Sequence, residues 1–233
     1  MLELPAANLR VSNCVFSVSS YILVLRFLNF KYHFCRCSIE SATEGLVADG
    51  NVKIEQNRLF GIFPEWGPIF RVTFELKIES ATEPLDNDFV EVLRVTDQDA
   101  DTVETLPGKG IPGVWLCYPK VANKYCGQNS TCLLIESYIS SYWGKDIFLN
   151  INRDRFISIE IAQWVMDGIY FFQVNLDGEL YEKVHNLTPA NFTNMNVFTS
   201  DNFYVSFGEF GQVKNLELAT WLEQPKDCYI SKP

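Results

Sequence analysis

The sequence predicts an all-β protein, an antiparallel two-sheet jelly-roll sandwich. Three observations carry that reading. Short runs of alternating apolar and polar residues succeed one another from residue 46 onward, separated by turn residues. No long amphipathic helical stretch interrupts them. Of the 233 residues, 47 % are hydrophobic and 14 % aromatic, enough for one large β core and unlike a disordered, collagenous or coiled-coil chain.

The elements follow in order. Gly50-Asn51 opens a run from Val52 to Phe60, and Phe63 to Pro68 reads as a turn segment with two prolines. Ile69 to Ile78 gives the clearest period of two: Phe70, Val72, Phe74, Leu76 and Ile78 on one face, Arg71, Thr73, Glu75 and Lys77 on the other. Strands are then expected at Phe89–Thr96, Gly113–Tyr118, Cys132–Ile139, Phe148–Ile151 and Arg155–Gln163. Ile169–Leu176 and Glu179–Val184 flank Asp177-Gly178, a type I′ hairpin signal because both central residues need positive φ. Met195–Thr199 and Gln212–Leu218 complete ten or eleven strands. The aromatic residues Phe70, Phe74, Trp115, Phe156, Phe171 and Phe198 are expected to fill the core. With no internal repeat or linker, residues 46–221 form one domain and 222–233 a tail.

Residues 1–45 are an apolar leader or extension. The run Cys14–Phe30 suits the apolar stretch of a signal peptide, but only Arg10 precedes it as a base, and Arg26 and Asn29 are costly within a membrane. A signal, an anchor and a folded extension all stay open. Membrane association is expected only through such an anchor. Acids outnumber bases by 29 to 19, a net charge of −10, which argues against a nucleic-acid partner.

Seven cysteines (14, 35, 37, 117, 126, 132 and 228) show no C-x-x-C spacing and meet only two histidines, so disulfides are favoured over zinc. Cys126 and Cys132 bracket a short polar loop. Cys117 competes for either partner, and Cys228 can staple the tail to Cys35 or Cys37. Sequons begin at Asn129, Asn186 and Asn191; Pro189 directly after Thr188 makes Asn186 the poorest acceptor. Together these point to a secreted or cell-surface glycoprotein.

Four blocks carry a family likeness: Phe63–Pro68 running into Arg71–Ile78; Gly110-Ile111-Pro112-Gly113-Val114-Trp115-Leu116; Ile159–Gln163 followed by Gly168–Val174 and Asp177-Gly178; and Asn196–Tyr204 with Gly211–Leu218. Together they resemble the concanavalin A-like lectin/glucanase superfamily, and within it the laminin-G-like jelly-roll domains of secreted and surface proteins of marine invertebrates. The resemblance implies two packed antiparallel sheets, one concave, in a superfamily of lectins, glycan hydrolases and adhesion modules. It also implies a Ser-Asp-Pro-Trp-Tyr-like block, which stands here as Ser200-Asp201-Asn202-Phe203-Tyr204.

Three chemistries are weighed. Hydrolases of this superfamily resembling laminarinases carry Glu-x-Asp-x-x-Glu on one strand, and no expected strand holds it: Glu160 stands alone, Glu75 faces outward, and Glu91 lacks an acidic partner at i+2. His33 and His185 offer little to a nucleophilic triad, so no enzyme activity is expected. Asp97, Asp99, Asp101 and Glu104 present carboxylates at short intervals, as a calcium loop would. Thr102 and Gly108 stand at the sixth and twelfth positions, so this is no EF-hand loop, and a solvated acidic loop is the competing reading. No other cofactor is implied. Tyr142, Trp143, Asp201, Asn202 and Tyr204 are the candidate ligand residues, aromatics for stacking on sugar rings and polar groups for hydroxyls, with core or inter-strand packing the competing reading for Tyr142 and Trp143; Tyr138 and Trp164 also lie in or near turns. The expected function is non-enzymatic extracellular recognition of a glycan, with calcium as an optional aid. An adhesion or matrix module binding protein or mineral is the alternative, and a glycan hydrolase ranks behind both.

Overall fold

The computed structural model describes residues 42, 44–54, 58–79, 89–97, 110–140, 143–200 and 207–223, without the side chains of 139, 140 and 143. They lie within one compact unit, Ala42–Gln224. Twelve strands form among the described residues: β1 (Glu44–Val52), β2 (Arg58–Trp66), β3 (Ile69–Ile78), β4 (Val90–Thr96), β5 (Gly113–Leu116), β6 (Thr131–Ser140), β7 (Trp143–Ile151), β8 (Ile157–Met166), β9 (Ile169–Leu176), β10 (Glu179–Asn186), β11 (Phe192–Thr199) and β12 (Gly211–Trp221). They make two antiparallel six-stranded sheets, ordered β1-β12-β3-β8-β9-β10 and β2-β11-β4-β5-β6-β7, the expected jelly-roll sandwich.

Alternation explains the packing. The inward residues of β3 (Phe70, Val72, Phe74, Leu76, Ile78), of β8 (Ile157, Ile159, Ile161) and of β9 (Phe172, Val174) meet Val95, Val114, Ile135, Ile147 and Val197 from the second sheet in a single core. Trp66 joins it through Phe63 and Phe70, at 5.0 and 5.3 Å between ring centroids.

Several expectations need correction. The run Val52–Phe60 is not one strand: β1 ends at Val52 and β2 starts at Arg58. The proline segment is not a turn up to Trp66, because β2 continues through Pro64. An edge strand tolerates proline, since one row of its N–H groups has no partner strand. Gly67 follows, and there the chain passes so close to β12 that a Cβ would sit 2.0 Å from the Trp221 carbonyl oxygen. A short helix, α1 (Pro119–Tyr125), follows β5; at seven residues it is too short to show a periodic face in sequence. Among the described residues no helix is long and apolar enough to cross a membrane.

Of the six aromatics expected in the core, only Phe70 and Phe74 belong to it. Trp115 and Phe198 lie on the far face of the second sheet, and Phe156 and Phe171 on the far face of the first. Each is covered there by neighbours: Arg94 lies over Phe198 and Lys214 over Phe156. Period two fixes which residues share a face, not which face meets the core.

The Asp177-Gly178 hairpin forms as expected, with φ of 49° and 82°. A second hairpin of the same kind, Asp167-Gly168 (51° and 77°), joins β8 to β9. Asp177 also accepts a bond from the Ser158 N–H at 2.9 Å and pairs with Arg155 at 2.8 Å, which hold its carboxyl below the ordinary carboxylate value. The lowered pKa means this stabilisation is present above the unfolded pKa and lost as pH falls through the folded one. Asp177→Asn keeps a residue that tolerates positive φ. It should lower the melting temperature at pH 7, with the difference from the parent vanishing near pH 2 in calorimetry.

Candidate functional site

The face of the second sheet turned away from the core is unusual because it buries charge. Strand register lines up a row across five strands: Phe198 on β11, Arg94 on β4, Gly113 on β5, Glu136 on β6 and Asp146 on β7. Beside it runs Glu91, Trp115, Leu134 and Phe148. Glu91 and Glu136 are 0 % exposed and Arg94 is 2 %. A bulge between Glu91 and Leu93 puts Glu91 and Arg94 on one face although they are three residues apart. Arg94 Nε then lies 3.0 Å from Glu91 Oε2, and the guanidinium carbon 5.6 Å from the Phe198 ring centroid.

Glu136 has a different task. Its Oε1 accepts the Gly110 N–H at 3.2 Å, while Ile111 N–H and Pro112 O bond to Val95. The carboxylate thereby pins the Gly110–Gly113 turn, which contains a cis Ile111-Pro112 bond, against β4 and β6. Gly113 makes the arrangement possible: a Cβ there would lie 2.8 Å from Glu136 Oε1 and 3.0 Å from Trp115 Nε1. At the accessible margin, Tyr138 is hydrogen-bonded to Asp146 and lies across Gly144, where a Cβ would be 2.1 Å from the ring. Burial, then the Asp146 charge and hydrogen bond and the Glu136 charge, push its hydroxyl up to about 12. Tyr138 is thus a neutral donor throughout the physiological range.

A second cluster adjoins this face where α1 packs. Trp115, Cys117, Ala122, Cys132 and Leu134 are buried together, and Tyr125 stacks on Phe148 at 4.1 Å. Of the candidate partners left open by the sequence, Cys126 and Cys132 form a disulfide, tying the end of α1 to β6. Cys117 takes no part in it; it is free and buried, and burial pushes its thiol up to about 12. Cys228 lies outside the described residues. A cavity of about 60 Å³ lies between α1, Thr131 and Arg153, too small to seat a sugar ring.

The other candidates are distributed as follows. Trp143 begins β7, paired in register with Ser140. Tyr142, Asp201, Asn202, Tyr204, Asp99, Asp101 and Glu104 lie outside the described residues. Asp97 follows β4 directly and is exposed. It lies at the same end of the sheet as the Gly110 turn, whose carbonyl accepts the Tyr138 N–H. Phe198 faces Arg94, so the chain leaves β11 at the opposite end, toward Glu91. No group of three His, Cys, Asp or Glu side chains among the described residues could hold a metal ion. Of the sequons, Asn129 (φ 58°) and Asn191 are exposed. Asn186 is set apart: it is buried, and its Nδ2, the atom a glycan would occupy, donates to Gln163 Oε1 at 2.7 Å.

Sequence reasoning passed over Arg94 and Glu136 altogether, and set Glu91 aside for want of an acid at i+2. The available signal was ionisable residues within apolar runs, Val-Glu-Val-Leu-Arg-Val and Leu-Leu-Ile-Glu.

No family model matches the chain, and no curated protein matches it. Solved structures give distant likenesses. A marine PL7 alginate lyase, AlyA1 from Zobellia galactanivorans, shares 11 % identity over 66 % of this chain and 64 % of the lyase, with a TM-score of 0.41. The receptor binding domain of botulinum neurotoxin D shares 11 % over 78 % of this chain and 45 % of that one, at 0.44. The serotype D ligand binding domain in complex with N-acetylneuraminic acid shares 10 % over 78 % and 44 %, at 0.46. The chain thus spans under two thirds of the lyase and under half of the toxin domains. At such identity and TM-score the likeness carries nothing about ligand or activity.

Two outcomes follow. Arg94→Met should cost about 3–5 kcal/mol in urea unfolding, because it removes the cation beside a buried carboxylate, and adding Glu91→Gln should recover part of that loss. Native protein should leave Cys117 unmodified by iodoacetamide, with alkylation appearing only in denaturant.

Proposed function

We propose that the domain is a non-enzymatic extracellular recognition module whose ligand is a saccharide, engaged on the outer face of the second sheet. The observation carrying this reading is the charged row Arg94–Glu136–Asp146 on a sheet face, ending at an accessible Tyr138–Asp146 pair. A face meant only for solvent has no need of the buried charges of Glu91, Arg94 and Glu136, which are stable only when paired. Here they fix the Gly110 turn and the Tyr138 margin, giving preset donors and acceptors for hydroxyls. The resemblance to the concanavalin A-like superfamily supports the saccharide, and the Cys126–Cys132 bridge supports an oxidising, extracellular setting.

The same geometry favours recognition over hydrolysis. Glu136 is committed to the Gly110 N–H and Glu91 to Arg94, and both are fully buried, so neither carboxylate stands ready as acid or nucleophile. Asp97, at the same end of the sheet, is the described member of the acidic segment through which calcium would assist.

A glycan array on the full chain, with and without chelator, checks the reading. Binding to a defined glycan set is expected, weakened about tenfold by Asp146→Asn or Tyr138→Phe. A calcium role requires the signal to fall with chelator. No glycan signal in either condition sinks the saccharide reading and leaves the adhesion alternative. Hydrolysis of a β-glucan, lost on substituting one glutamate, overturns the non-enzymatic one.

A further inference from the structure

The outer face of the first sheet is mostly a lattice of paired charges. Arg71 bonds Glu160 at 3.4 Å and Glu217 at 3.2 Å, Asn175 donates to the other Glu160 oxygen, and Lys214 pairs with Glu75 at 3.1 Å. The pattern changes at the β8–β9–β10 end. Trp164 stands opposite Phe171 and stacks on it at 4.6 Å, and Phe171 stands opposite His185, which meets it edge-on at 4.8 Å. In the next row Gln173 stands opposite Lys183. Gln173 is buried and accepts the Trp164 indole N–H at 2.9 Å, which fixes the orientation of the half-buried indole. The exposed Lys183 ammonium lies 4.7 Å from the Trp164 ring centroid and 4.2 Å from that of Phe171.

The charge of Lys183 is left unneutralised: among the described residues no carboxylate pairs with it. The nearby candidates are engaged elsewhere, Glu160 with Arg71 and Glu182, on the same strand, with Lys145 at 2.9 Å. Exposed Ile169 lies one row further out on β9, and exposed Leu187 follows β10 directly, adding apolar surface at this end. A cation held above an oriented aromatic floor with an apolar border, on a chain of net charge −10, is a local arrangement of opposite sign to the whole.

We propose that Trp164 and Lys183, seated over the buried Phe171, form a second binding site, for an anionic saccharide: a pyranose carrying a carboxylate or a sulfate ester. The anion rests on Lys183, and the ring C–H face of the same sugar lies against the exposed part of the Trp164 indole and the apolar border of Ile169 and Leu187. This site is on the opposite sheet from the Tyr138–Asp146 margin and does not depend on it. The negative field of the whole chain keeps its affinity modest and makes it fall with salt.

The test is calorimetric titration of the full chain at low salt with three oligosaccharides of equal length: an oligoglucuronate, a sulfated galactan fragment and a neutral glucan fragment. At least one anionic oligosaccharide should bind at least tenfold more tightly than the neutral one. The anionic arm that responds tells carboxylate from sulfate. Lys183→Met should weaken that binding tenfold or more, Lys183→Arg should retain it, and Trp164→Phe should weaken it several-fold, with melting temperature checked for each. Asp146→Asn and Tyr138→Phe should leave it unchanged, which separates this site from the one on the second sheet. No binding of either anionic oligosaccharide, equal binding of the neutral one, or an unaffected Lys183→Met variant overturns the proposal.

Discussion

The polar face of the second sheet depends on the missing side chain at Gly113. That residue sits between Arg94 and Glu136 in the strand register, and the space a Cβ would fill is used by the Glu136 carboxylate and the Trp115 indole. Because Glu136 can lean across β5, it reaches the Gly110 N–H and holds the turn that enters β5. Because that turn is held, its Gly110 carbonyl is placed for the Tyr138 N–H. One close approach of backbone to side chain thus ties the turn before β5 to β6 and with it the Tyr138 margin.

Much of the fold was legible because alternation is a physical consequence of the pleat. Ile69–Ile78 predicted its strand to the residue, and Asp177-Gly178 predicted its hairpin, because both depend on local geometry alone. What local pattern could not provide was the assignment of faces. Phe171, Trp115 and Phe198 sit on strands with correct alternation and Phe156 directly precedes β8, yet none belongs to the main core. Both sheets carry aromatics outside the sandwich, where cations and amides cover them, and composition cannot distinguish those from core aromatics.

The candidate site was less legible still, for the same reason. Glu91, Arg94 and Glu136 come from two strands separated by a turn, a fifth strand and a helix, and only register brings them together. The search for carboxylates at fixed spacing along one strand looked in the wrong direction, since on a sheet functional groups gather across strands. The bulge between Glu91 and Leu93 compounds this by shifting Glu91 and Arg94, of opposite parity, onto one face. A bulge has no reliable signature in a single sequence.

The edges of the sandwich govern how the molecule behaves in a crowd. β7 and β10 are edge strands of different sheets, and they are tied side by side by the Tyr181 hydroxyl donating to the Phe148 carbonyl and by the Lys145–Glu182 pair. β2 is the opposite edge of the second sheet and exposes Leu59 and Ile62, the kind of margin on which another chain can add a strand. Pro64, two residues before the end of that strand, has no N–H to offer a newcomer. The residue that looks like a turn signal in the sequence is therefore, in this place, one of the devices that blunt a hydrophobic edge against strand addition.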